Sequence, residues 1–137
     1  MIKKTFFLVA IAACAIFLLA SYFIRPAESP ERTAEKFTEN LFKVAPPMLD
    51  KTAIRNTIDQ LSDKAKNQVK SLKDIAYFVG VQSLPDQGFA TVNVDKKENK
   101  ALVKMRWDYS GGAVMKNYFM VFENGRWKID RIKNSKI

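Results

Sequence analysis

Two acids with aromatic neighbours are where this chain comes nearest to chemistry. Asp108 stands between Trp107 and Tyr109, and Asp130 closes the run Gly125-Arg126-Trp127-Lys128-Ile129-Asp130. A carboxylate beside a phenol can exchange protons with a substrate, provided its surroundings hold its pKa near the working pH. Strand periodicity argues against that role at both positions. Alternate residues of a strand face opposite ways, so Asp108 shares a face with Lys104 and Arg106, and Asp130 with Lys128 and Ile132 rather than with Trp127 and Ile129. Histidine is absent and the one cysteine is Cys14, which removes the commonest general base, the commonest metal ligand and thiol chemistry. No catalytic residue, metal or cofactor is therefore expected.

Two apolar sets offer binding instead. Phe37, Tyr77, Met105, Trp107, Tyr109, Tyr118 and Met120 form a candidate ligand pocket if their elements enclose a cavity; its occupant would be apolar with a polar end for the tyrosines. Large apolar side chains at strand period otherwise fill a core. Met115, Phe119 and Val121, on the opposite parity of one strand, together with Phe78, form a candidate interface for a second copy or a partner protein. Basic residues cluster at Lys64, Lys66, Lys70 and Lys73 and again at Lys96, Lys97 and Lys100. Such clusters are ordinarily solvated, and outside the cytoplasm they would attract anionic lipid, cell-wall polymer or acidic protein rather than nucleic acid. They lack the interleaved aromatic residues of a single-strand binding groove.

The location follows from the first 24 of the 137 residues. Thr5 to Ile24 carries no charge, and twenty helical residues span roughly 30 Å, the thickness of bilayer hydrocarbon. Lys3 and Lys4 precede this run while Glu28 and Glu31 follow it, so the N-terminus is expected in the cytoplasm and the rest outside the cytoplasmic membrane, as a single-pass protein of a bacterial inner membrane. A retained anchor, a signal peptide cleaved near Ala20, and lipidation of Cys14 after the lipobox-like Ile11-Ala12-Ala13 all remain open. The length of the run favours the anchor. Beyond it no cysteine is available for a disulfide, so the exported part must be stabilised by its core. Of the 23 basic residues only Lys3 and Lys4 precede the run, leaving 21 against 14 acidic ones, an excess of +7.

The elements that would position these residues divide the chain into an anchor or signal (1–24), a Pro-rich linker (25–30) and one domain (31–137). Ser29 is expected to cap a helix with Pro30 in its first turn, and Ala34, Phe37, Leu41 and Val44 give it one apolar stripe that Pro46-Pro47 ends. Ile54, Ile58, Leu61, Ala65, Val69 and Leu72 continue a helical stripe, which Ser62-Asp63 divides. From Ile75 the period becomes two. Ile75, Tyr77, Val79 and Val81 predict a first strand; Ala90, Val92 and Val94 a second; Ala101, Val103, Met105, Trp107 and Tyr109 a third. Val114 to Phe122 predicts a fourth, joined through Asn124-Gly125 to a fifth over Arg126 to Ile132.

Helices followed by a meander that ends in Gly-Arg-Trp-Lys-Ile-Asp, together with the Ser29-Pro30-Glu31 start, resemble the nuclear transport factor 2-like superfamily, in particular its small membrane-anchored or lipoprotein members in bacteria. The resemblance covers residues 29 to 133. It implies an α+β roll in which two to three helices pack on a curved antiparallel sheet of about five strands, forming a cone with a pocket, and it implies pairing through the outer sheet face. The periplasmic domain of the inner-membrane scaffold subunit of type IV secretion systems has a similar fold and the same order of tail, anchor and exported domain. The expected function is therefore non-catalytic binding of a partner protein in the cell envelope. The alternative is a carrier of a small ligand or lipid.

Overall fold

A computed structural model describes residues 27–80 and 83–135. The expected anchor over 5–24, Cys14 and Val81 lie outside the described residues. Among the described residues four helices precede a four-stranded antiparallel sheet: α1 Pro30–Val44, α2 Lys51–Asp59, α3 Asp63–Lys66 and α4 Leu72–Val79, then β1 Phe89–Lys97, β2 Lys100–Tyr109, β3 Gly112–Glu123 and β4 Arg126–Ser135. The strands follow one another in space as β1-β2-β3-β4. No described helix is long and apolar enough to cross a membrane.

Helix α1 forms where the sequence places it. The Ser29 side chain accepts from the Arg32 amide, Pro30 occupies the first turn, and Glu31 complements the positive end of the helix dipole. Its stripe of Ala34, Phe37, Leu41 and Val44 is buried, each large side chain contributing about 1.5–3 kcal/mol relative to an exposed one. The partition at Ser62 also occurs: its Oγ accepts from the Ala65 amide and starts α3.

The strand expected over Ile75 to Val81 is instead helix α4. Ser71 caps it by accepting from the Asp74 amide, and Gly80 ends it in the left-handed conformation at φ 72°. Ile75 and Val79 are buried one helical turn apart, while Tyr77 points away and is 90% exposed. A spacing of four satisfies both periods, and the caps decide for the helix. Among the described residues the sheet consequently has four strands rather than about five.

Two bulges reset the strand parity. Register shifts between Thr91 and Asn93 opposite β2, leaving Val92 unpaired and 52% exposed. Phe89, Thr91 and Val94 therefore turn toward the helices, and Ala90 and Val92, expected on one face with Val94, face out. In β4 the register shifts opposite Phe119 and Met120, with Asp130 as the extra residue. That bulge brings Ile132 onto the buried face of Trp127 and Ile129, the reverse of the expected parity. The tight turn at Asn124-Gly125 is present, with φ 54° and 77°, as a two-residue hairpin of type I′ requires.

The outer edge of β4 is not left open. Leu61 forms a parallel bridge with Ile129, the Ser62 amide donates to the Ile129 carbonyl and the Ile129 amide to the Gln60 carbonyl, both at 2.9 Å. The link between α2 and α3 thus pairs with the sheet edge and protects it from other chains.

Candidate functional site

The residues expected to line a pocket separate into three environments. Phe37, Met105, Trp107, Tyr118 and Met120 are fully buried between α1 and the sheet, and Phe37 meets Tyr118 edge-on at 6.4 Å. Tyr109 is partly buried, donating its hydroxyl to the Ser83 carbonyl at 2.8 Å. Tyr77 belongs to the solvent face of α4. Five of the seven thus fill the core, and the α4 helix carries the sixth away from them.

This core holds two polar groups that the aromatic set conceals. Thr38 Oγ1 donates to the Ala34 carbonyl at 2.8 Å, so the Tyr118 hydroxyl, 2.7 Å away, is the donor between them. Burial raises the Tyr118 pKa above its ordinary value. Lys116 lies on the same strand parity and is 1% exposed. Its ammonium donates to the Val79 and Gly80 carbonyls, each at 3.2 Å, and to Asn134 Oδ1, and lies 5.1 Å from the centre of the Trp107 ring. Among the described residues no carboxylate pairs with it. Desolvation lowers its pKa from 10.5 to about 8. Three acceptors for three donors, two of them at the negative end of α4, make Lys116 the clamp between that helix and the sheet.

The two acids singled out for chemistry are occupied elsewhere. Asp108 is on the outer sheet face, accepting from Arg106 Nε at 2.9 Å. Asp130 accepts from Ser62 Oγ at 2.8 Å beside the covered β4 edge. Among the described residues no group of three His, Cys, Asp or Glu side chains is placed to hold a metal ion.

The outer face of the sheet is organised in columns. Along β3, Met115, Asn117, Phe119 and Val121 point outward, half-buried by their neighbours. Strand β2 sets Leu102, Lys104 and Arg106 on one flank, paired with Phe119, Asn117 and Met115. Strand β4 sets Arg131 and Lys133 on the other, paired with Phe119 and Asn117. The Arg131 guanidinium lies over the Phe119 ring, 4.3 Å from its centroid. No described helix packs on this face: α1, α3 and α4 meet the sheet from the opposite side or its β4 edge, and α2 packs on α1. Phe78, expected here, is on α4 and packs against the core from the helical side. A narrow apolar strip between two rows of cations is thus the surface this fold leaves uncovered.

Sequence parity identified Met115, Phe119 and Val121 as one set but missed Arg131 and Lys133, because the Asp130 bulge determines which way they point. Lys116 had a visible signal, a lysine on the parity of Tyr118 and Met120. Compared with known protein families and with characterised proteins, the chain finds no match in either.

Proposed function

We propose that this is a non-catalytic cell-envelope protein that binds a partner protein through the outer face of its sheet. Residues 5 to 24 hold it in a bacterial inner membrane, and residues 31–137 form a nuclear transport factor 2-like domain outside the cytoplasmic membrane. One observation carries the reading: the helix-facing side of the sheet is packed with side chains, while Met115, Phe119 and Val121 form an apolar strip on the other side, which no described helix covers. Contiguous apolar surface framed by polar residues is a common mark of a protein contact. Helices followed by an antiparallel meander support the assignment to that superfamily, and the uncharged twenty-residue run supports the anchor.

The small-ligand alternative draws less support. An apolar groove lined by Leu41, Val44, Leu72, Ile75, Val79 and Leu84 holds about 220 Å³, below the roughly 300 Å³ at which pockets for drug-sized molecules begin, and wider clefts of about 590 and 770 Å³ are lined largely by charged and polar side chains.

The test is Phe119→Glu in the full-length chain, with native electrophoresis of gently solubilised membranes. The complex is expected to disappear while the circular dichroism of the purified variant matches wild type. A complex of unchanged mass would refute the outer-face reading.

A further inference from the structure

We infer that the partner of the outer sheet face is an acidic amphipathic helix of another protein, not a second copy of this chain. The inference rests on the partner-binding reading above and adds the chemistry of the partner.

The charge on this face is one-sided. Lys104, Arg131 and Lys133 make no ion pair among the described residues. Of the nearby carboxylates, Asp108 is committed to Arg106, Asp130 to Ser62, and Glu123, on the outward parity of β3, to the Asp63 amide. Asp95, opposite Leu102, lies out on the β1 edge. A two-fold interface sets the same patch against itself, so these unpaired cations would confront their own copies across the β3 strip. Like charges held together at an interface cost several kcal/mol. An acidic partner relieves the same cations.

The dimensions select a helix. The cationic columns on β2 and β4 are two strand spacings apart, about 10 Å, which is the width of one α-helix with its side chains. The strip from Met115 to Val121 covers six residue steps, about 20 Å, and a helix of about 13 residues matches that length. Its apolar stripe would lie on Met115, Phe119 and Val121, with carboxylates on either flank reaching Lys104 and Lys133. Arg131 stacked on Phe119 keeps the edge of its guanidinium free for a bidentate carboxylate. A lipid surface fits less well, because the apolar side chains here are recessed between cations rather than foremost.

The experiment places a photoreactive phenylalanine analogue at position 119 of the full-length protein in its own membranes and sequences the cross-linked peptide by mass spectrometry. The expected product is a helical segment of a different protein with apolar residues three and four apart and acids on both sides. Its yield should fall about tenfold or more in Lys104→Glu/Lys133→Glu, a loss of at least about 1.4 kcal/mol. Lys51→Glu/Arg55→Glu, exposed on α2 behind α1, should leave it unchanged. If the charge reversal perturbs folding, Lys104→Gln/Lys133→Gln should lower the yield in the same direction at wild-type thermal stability. A cross-link to this same chain or to lipid overturns the inference. A partner segment without acidic residues also overturns it but leaves the partner-binding reading standing. A complex that persists with no adduct at position 119 overturns both.

Discussion

Lys116 carries an ammonium group into a site where only the end of a helix and one amide receive it. The free energy of that arrangement depends on pH in a definite direction. In the folded chain its pKa is lowered to about 8 by burial, whereas the unfolded chain keeps the ordinary value near 10.5. Between these values the unfolded state binds more protons, so stability rises as pH increases from about 8 to about 10.5; below pH 8 the cost of burying the charge is fully present. Other groups titrate too, and comparison with Lys116→Met removes their contribution. In urea unfolding, wild type should gain on the variant by about 1–3 kcal/mol between pH 7 and pH 10. A difference that does not change with pH would mean that the ammonium is solvated in the native state. The position was visible in the sequence, on the parity of Tyr118 and Met120, but its meaning was not. Lysine is ordinarily a surface residue, and its acceptors, the Val79 and Gly80 carbonyls, sat in a segment whose periodicity indicated a strand.

That segment shows why an element can be misjudged while its buried residues are identified correctly. Ile75 and Val79 are core residues as a strand or as a helix, because positions four apart coincide under both periods. What separates the two is chemistry at the ends: Ser71 with Asp74 three residues later, and Gly80 immediately after the last apolar residue. Their contributions can be measured singly. Ser71→Ala removes an acceptor from the first turn and should cost about 1 kcal/mol. Gly80→Ala should cost about 1–2 kcal/mol through backbone strain alone, since at φ 72° the added Cβ meets nothing within 4 Å. Gly80→Asn should recover part of that loss, because asparagine tolerates the left-handed region. Equal melting temperatures for wild type and Gly80→Ala would show that α4 does not end in this conformation. The bulges at Val92 and Asp130 had no comparable end signals. Each inserts one residue without a glycine to mark it, so parity beyond them could not be counted from the sequence.

Across the whole molecule, the contacts between distant segments were the least legible. Nothing in Gln60-Leu61-Ser62 announces that it will pair with Ile129, and the cations of the outer face come from two strands whose relative register only folding establishes. The lysine clusters that are contiguous in sequence are spread over α3, α4 and the β1–β2 hairpin, and of them Lys100 pairs with Val121. The same topology determines which end of the domain would meet a membrane. Ala27 to Glu31 borders a cleft with Lys96, Glu98, Asn99 and Trp127, so the chain enters the domain at the end carrying the β1–β2 and β3–β4 turns. The Ser110-Gly111 turn is at the other end, ten residues of β2 away, or about 33 Å. If residues 5–24 are retained as the proposed anchor, the linker over 25–30 spans at most about 20 Å and keeps the first end near the headgroups. A fluorophore on Asn99→Cys (with Cys14→Ser to leave one thiol) should then be quenched by spin-labelled headgroups in reconstituted vesicles, and one on Gly111→Cys should not. That orientation stands the strands away from the bilayer and turns the outer sheet face sideways, toward proteins that share the membrane. Equal quenching at both positions would mean that the domain lies flat. Lipid would then compete with the partner for the cations of the outer face.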